Sequence, residues 1–332
     1  MHYHADWMRG AESASGRDEN DGYAGRSNSV NQGNRKALLE DGLIVAAHGR
    51  HYAVELSNAE LLHCYPRGRR NVYACGDVVE IERSGDRQGT INSVHPRSSL
   101  LYRSDRHRQK IIAANVTLAV FVVAARPAFN EDLLMRCLIA CEQQKITAVI
   151  VLNKTDLVEE SARAATQLAL YGELGYTLVP LSAKKDISPL EYVLRNHRSV
   201  VVGQSGMGKS TIVNALIPQA GARTAEISQA LDSGKHTTTS AQLYHLDAES
   251  SIIDSPGLQT FGLMHLSQSE LVESFREFKP FVGHCRFDDC RHTVEPGCAV
   301  IAAVGRDEID PRRWNAYTSL AADLETKPPA WA

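Results

Sequence analysis

Two short runs of this sequence carry residue types that bind nucleotides. Gly203-Gln204-Ser205-Gly206-Met207-Gly208-Lys209-Ser210 fits G-x-x-x-x-G-K-S. Glycines in such a loop let backbone N–H groups turn inward around phosphates, and the helix that follows presents its positive end. Lys209 suits the β- and γ-phosphates, Ser210 offers a hydroxyl to Mg²⁺, and Thr211 follows as the next cradle residue. The second run is Asn153-Lys154-Thr155-Asp156. A carboxylate there accepts hydrogen bonds from N1–H and the 2-amino group of guanine, a pairing that adenine cannot make.

Three more runs fit the same site. Leu181-Ser182-Ala183-Lys184 closes the next apolar stretch, where a backbone N–H suits guanine O6. Asp254-Ser255-Pro256-Gly257 places Asp254 as a water-mediated Mg²⁺ partner and Gly257 as an N–H donor to the γ-phosphate. Between cradle and Asp254 lies Gly-Lys-His-Thr-Thr-Thr-Ser, residues 234–240. One of Thr237, Thr238 and Thr239 is expected to close over Mg²⁺, with Thr238 favoured. Ras-type sites place a water-orienting Gln after the Asp-x-x-Gly motif. Here that position is Leu258, so slow intrinsic turnover is expected, raised when another group is supplied. His236 is the candidate for contacting the attacking water.

A second chemistry lies near the C-terminus. Cys285-x₄-Cys290-x-His292-x₅-Cys298 supplies three thiolates and one imidazole. That set suits one structural zinc in a closed tetrahedron. The surrounding segment has no long apolar run, so ligation would contribute much of its folding energy. Cys64, Cys75, Cys137 and Cys141 are scattered and read as packing residues.

The elements that must position these groups fall into three stretches. From Gly42 to about Arg103, short runs such as "HYAVELS" and "GDVVEIERSG" alternate with Gly, Pro and Asn, the signature of a small β-barrel of the OB type. From about Asn115, strands such as "VTLAVFVVAA" alternate with helices such as "NEDLLMRCLIACEQQ", which describes a doubly wound α/β domain. A helical, Cys-rich segment follows. The expected limits are a disordered tail 1–38, a barrel 39–108, an α/β domain 109–262, a metal-binding helical domain 263–326 and a tail 327–332. The base reader precedes the phosphate cradle, the reverse of the ordinary order. Cutting the sheet before "VTLAVFVV" and joining the old ends through "SPLEYVLRN" keeps every loop at one edge, so the order describes a circular permutation. The loop after Asp254 then leads toward the C-terminal domain, which nucleotide state is expected to move as a lever.

Composition narrows the classes further. The longest apolar run, Val116 to Ala125, is half of the ~20 residues a membrane-spanning helix needs. The N-terminal stretch lacks the apolar core of a signal peptide, so a cytoplasmic protein is expected, with no membrane partner. Net charge is −3, yet residues 61–110 hold ten Lys/Arg against five Asp/Glu. A basic barrel fits phosphate binding, although a solvated face has the same composition.

Together these features resemble the RsgA family, the circularly permuted GTPases of small ribosomal subunit biogenesis. The resemblance rests on the order NKTD, SAK, GQSGMGKS, HTTT, DSPG, on the Cys/His spacing, and on the upstream "GDVVEI…GTINSVHPRSSLLYR…IAANV". It spans about Gly42 to Leu324. It implies an N-terminal OB barrel that contacts RNA, a permuted P-loop GTPase domain and a C-terminal zinc domain. It also implies GTP/GDP with Mg²⁺ as ligands, the small (30S) subunit and its 16S rRNA as partners, and hydrolysis stimulated by that subunit during late maturation. A monomer is expected. Arg67, Arg69, Arg70, Arg97, Arg103, Arg106 and Arg108 would neutralise phosphates. The family often has Arg before the His-Thr-Thr-Thr run; here it is Lys235. Two rival readings are a GTP switch with protein partners and an RNA-binding module that does not turn over.

Overall fold

The architecture was taken from a computed structural model, which describes residues 39–68, 73–105, 109–218, 220 and 241–326. Both expected tails, Arg69, Arg70, Arg106, Arg108, His236, Thr237, Thr238 and Thr239 lie outside the described residues.

Alternating side chains build the first domain. β1 (Leu39–His48), β2 (His51–Leu56), β3 (Leu61–Pro66), β4 (Val78–Gly85) and β5 (Gln88–Val94) pair in the order β1-β2-β3-β5-β4, and β4 closes back onto β1. The β3–β5 pairing is parallel and the others antiparallel. This is the OB-type barrel expected from the spacing of turn residues. In β3, Leu62 and Cys64 point inward while Leu61 and Tyr65 face solvent, the period of two that one buried face requires. Ile44, Tyr52, Val54, Val79, Ile81 and Ile91 complete the barrel core.

A hairpin follows, β6 (Leu100–Ser104) with β7 (Gln109–Ala114). It straddles the expected boundary at 108/109. Leu101 and Ala113 are buried in a core that holds α1 and β8 together with Val45, Ala46 and Ala53 of the barrel strands.

The α/β domain adds β8 (Leu118–Ala124), α1 (Glu131–Gln144), β9 (Thr147–Asn153), α2 (Val158–Glu173), β10 (Thr177–Pro180), α3 (Ser188–Leu194), β11 (Arg198–Val202), α4 (Lys209–Leu216), β12 (Ala241–His245) and β13 (Ser251–Asp254). Its strands run β10-β9-β8-β11-β13-β12, all parallel except β12. β8 is buried on both faces, and its side chains divide by period two. Leu118, Val120, Val122 and Ala124 pack under α3 and α4, and Ala119, Phe121 and Val123 pack under α1. β1 joins the two domains: it pairs with β4 through Leu39–Leu43 and with β12 through Ala46 and Ala47.

The C-terminal part comprises α5 (Gln268–Glu273), a 3₁₀ turn (Arg276–Phe278), α6 (Ala299–Val304) and α7 (Pro311–Glu325). Ser267 and Glu270 form a reciprocal capping box that starts α5. Asp310 caps α7, with Pro311 at the first helical position. Phe275 and Phe278 stack, Tyr317 meets both rings edge-on, and the three share one core with α1 and β8. The Arg313 guanidinium is buried over the Phe275 ring and paired with Glu277. The route from Gly257 to these helices is also tied down. Ser104 N donates to Gly262 O (2.9 Å), and Ser104 O accepts from Met264 N (3.2 Å). A lever motion of the C-terminal part would have to break both this ladder and the shared core.

Arg97 corrects one expectation. Its guanidinium makes two bonds, 2.7 and 2.8 Å, to Asp77, a carboxylate with no solvent exposure. It is a structural ion pair, not a phosphate contact. Arg103 donates to Thr260 O (2.7 Å), across to the segment after Gly257, whereas Arg67 leaves 68% of its side chain in solvent. Arg97→Ala would strand the Asp77 charge. The expected cost is about 3–5 kcal/mol, read as a lower denaturant midpoint with an unchanged slope. An unchanged midpoint would refute the structural role.

Candidate nucleotide and metal sites

Four motif-bearing loops leave the C-terminal ends of parallel strands, where open α/β sheets bind ligands. Parallel register puts those ends side by side: Pro180 opposite Leu152, Ala124 opposite Asn153, and Val201 opposite Asp254. Asn153 then stitches three loops together. Its Nδ2 donates to Met207 O of the cradle (3.0 Å) and its Oδ1 accepts from Ala183 N (3.1 Å). Lys154 takes a left-handed backbone, φ 64°, and its Nζ donates to Gly206 O (2.7 Å) and Arg126 O (2.6 Å). Thr155 N donates to Leu181 O (3.2 Å). Asp156 faces solvent at the rim, and Ser182 Oγ donates to its Oδ1 (2.6 Å). That bond, first of all, holds the Asp156 carboxyl below the usual carboxylate range, with Lys185 and Lys184 adding to it. Lys184 is exposed beside it.

The cradle runs from β11 into α4, whose first residue is Lys209. Gly208 has φ +98°, and a Cβ there would run into the Asn153 amide, so the motif's last glycine is dictated by the base reader. The Lys209 Nζ is held by Gly203 O (2.8 Å) and Gln204 O (2.9 Å). Burial lowers its pKa, opposed by Asp254; burial raises that of Asp254, opposed by Lys209. Each charge therefore offsets part of the other's desolvation, as two partners of one phosphate–metal site would. Ser205, Gly206, Ser210 and Thr211 are exposed at the loop's open side. Gly257 abuts the cradle, since a Cβ there would lie 3.3 Å from Lys209 Nζ and 3.4 Å from Ser205 N. Ser255 Oγ donates to Val201 O (2.6 Å), and Leu258 N donates to Gly203 O (3.1 Å). Leu258 itself is buried in the core and cannot orient water.

The second site is built by a loop that coils on itself. The donor atoms of Cys285, Cys290, His292 and Cys298 all lie within 4.8 Å of one another. His292 Nδ1 is 3.4 Å from Cys285 Sγ and 3.4 Å from Cys298 Sγ, and those two sulfurs are 3.9 Å apart. A zinc tetrahedron has edges of about 3.5 Å for S–N and about 3.8 Å for S–S, so these three edges fit that ion, with Cys290 Sγ within 4.8 Å as the fourth ligand. Supporting bonds orient them. Ala299 N donates to Cys285 Sγ (3.3 Å), Ile301 N to Cys298 Sγ (3.5 Å), and Trp314 Nε1 to His292 O (3.0 Å). His284 is not among the clustered residues. The other four cysteines are buried, and burial pushes the Cys64 thiol up to about 12 and those of Cys75, Cys137 and Cys141 well above the usual range. They are packing residues, as expected.

Sequence comparison agrees with this geometry. The profile of the RsgA GTPase family matches residues 94–264. A small ribosomal subunit biogenesis GTPase RsgA of Nitrosospira multiformis is 52% identical over 285 residues, 86% of this chain and 91% of the relative. The chain belongs to the RsgA GTPase family. A second RsgA, from Nitrosomonas europaea, is 48% identical over 291 residues, 87% of this chain and 93% of the relative. Among solved structures, YjeQ from Thermotoga maritima superposes with TM-score 0.67 at 30% identity, covering 88% of this chain and all of YjeQ. YloQ, described as a circularly permuted GTPase, gives TM-score 0.63 at 24% identity over 90% of this chain and 99% of YloQ, a likeness of fold. As an RsgA-family protein the chain is a GTP hydrolase, and its reordered motifs are the family's permutation. None of the described helices is long and apolar enough to cross a membrane.

Proposed function

We propose that this GTPase acts on the small ribosomal subunit late in its maturation, binding 16S rRNA and turning over GTP when the subunit is bound. The observation that carries the nucleotide reading is Asn153, which bonds the phosphate loop and the Ser182-Ala183-Lys184 loop at once. In this reading Asp156 pairs with guanine N1–H and the 2-amino group, and the backbone at 182–184 meets O6. The Gly203–Thr211 loop wraps the phosphates. Lys209 neutralises them, Ser210 and Thr238 ligate Mg²⁺, Asp254 holds it through water, and Gly257 meets the γ-phosphate. Mg²⁺ supplies charge neutralisation between the β- and γ-phosphates. Zinc is the metal assigned to the Cys₃His cluster. The relatives' names support the ribosomal assignment, and the exposed Arg67 on the barrel supports an RNA contact. The same reading keeps a barrel to about residue 95, the hairpin with the GTPase, a monomeric chain and a cytoplasmic location.

Because Leu258 is buried where a water-orienting group is needed, turnover by the isolated protein should be slow. Partner-supplied groups raise GTPase rates by 10³–10⁵-fold elsewhere, so purified small subunits should stimulate phosphate release by roughly 10²-fold or more. ATP should give no stimulated release. If subunits leave the rate unchanged, the ribosomal assignment fails; if a soluble protein stimulates instead, the switch reading replaces it. If ATP is hydrolysed as well as GTP, the base reader fails.

A further inference from the structure

The strand order puts an unassigned loop in the middle of the site. β8 lies between β9, which ends in the base reader, and β11, which ends in the phosphate cradle. Chain order reverses between β8 and β11, so this is the crevice at which doubly wound sheets bind ligands. The loop leaving β8, residues 126–130, fills the space between reader and cradle and carries no recognised motif.

Three contacts fix it to both neighbours. Arg126 O accepts from Lys154 Nζ (2.6 Å), the same ammonium that bonds Gly206 O (2.7 Å). Pro127 packs on the cradle: Gly206 has φ +80°, and a Cβ there would sit 3.3 Å from the Pro127 ring. Asn130 N donates to Gln204 Oε1 (2.7 Å). The Gln204 side chain therefore faces the β8–α1 loop, although its backbone belongs to the cradle.

The far anchor is α1. Asn130 is its N-cap, accepting from Leu133 N (3.0 Å) through Oδ1. The next residue, Glu131, accepts from Gln167 (2.8 Å) and Tyr171 (3.1 Å) of α2 and from Arg312 (3.4 Å) of α7. The start of α1 is thus held by two other helices, and its backbone N–H is a fixed point. A glycine-rich loop needs such a point, because its own backbone is free to leave the phosphate-wrapping conformation.

We infer that Gln204 is a positioning residue: its side chain hangs the phosphate loop from the N-terminus of α1, and this bond sets how long guanine nucleotide stays bound. The inference rests on the nucleotide site assigned above. It predicts an effect on GDP and GTP alike, because both share the phosphates nearest the loop.

The test is the dissociation rate of fluorescent GDP and a fluorescent non-hydrolysable GTP analogue, measured on the full chain by displacement. Gln204→Met keeps the side-chain length and removes the acceptor. Both nucleotides should leave about five- to tenfold faster, the scale of one net hydrogen bond. Asn130→Ser keeps both the N–H and a capping oxygen, and in that background Gln204→Met should retain its full effect. Asn130→Pro removes the N–H, and there Gln204→Met should change nothing further, a coupling that general loosening of the fold would not reproduce. Rates within twofold of the parent for Gln204→Met, or full additivity with Asn130→Pro, would overturn the inference. If Asn130→Pro does not fold, the single-variant rates decide. Failure of the parent chain to bind GDP would instead overturn the site itself.

Discussion

Asp156→Asn should weaken GTP binding by roughly 10³- to 10⁴-fold and transfer preference to xanthosine triphosphate. The carboxylate is an acceptor only, and guanine offers it two donors, N1–H and the 2-amino group. An amide presents one acceptor and one donor. Its NH₂ would meet the guanine 2-amino group donor to donor, whereas the 2-oxo group of xanthine accepts from it. Asp156 lies exposed at the rim, so the penalty arises when the base covers it and the unmatched donors lose water. Ser182 Oγ still finds an acceptor in the amide oxygen, which preserves the 2.6 Å tether and confines the change to base pairing. Titration with fluorescent GDP and XDP measures the switch. Equal GTP affinity in parent and variant would remove Asp156 from the site.

The second large effect concerns the Cys₃His cluster. Cys298→Ser, or stripping the metal with a chelator, should unfold the segment between Phe278 and Pro311 and lower the melting temperature by roughly 10 °C or more. Structural zinc contributes on the order of 10 kcal/mol of apparent folding free energy in small sites. Here the loss would not stay local. Cys298 is buried and caps α6, while Trp314 and Tyr317 of α7 bond the carbonyls of His292 and Arg291. Tyr317 packs edge-on against Phe275 and Phe278, which share a core with α1. Metal analysis should find one zinc per parent chain and none in the variant. A variant that keeps its zinc and its melting temperature would contradict the ligand assignment.

Most elements could be read because burial leaves a periodic trace. The apolar run from Val116 and the Asn-Glu-Asp start of α1 are local signals, and both elements form where expected. The hairpin Leu100–Ala114 could not be read. Its two apolar ends are separated by a basic, polar stretch, and what stabilises it is distant: the ladder to Gly262 and Met264 lies some 160 residues away. α6 was hidden for a related reason, since six residues are too few to show a helical period and its start is set by Cys298. Arg97 shows the limit of counting charges. Composition places it in a basic stretch, but its role depends on Asp77 having no access to water. The meeting of the motif loops was legible because each run closes an apolar strand, and parallel strands bring those ends to one edge. The loop at 126–130 contributes mainly backbone groups, and backbone groups leave no residue signature.

One strand carries a consequence for how the two halves of the molecule coexist. β1 has a bulge at Val45, between Ile44 and Ala46, and at that point it leaves β4 and takes up β12. Without it, the margin of the nucleotide-binding sheet would present open N–H and C=O groups at Ala241 and Gln242, a template on which a foreign strand can nucleate. The barrel is therefore also an edge guard, and it shields its neighbour from self-association simply by being attached.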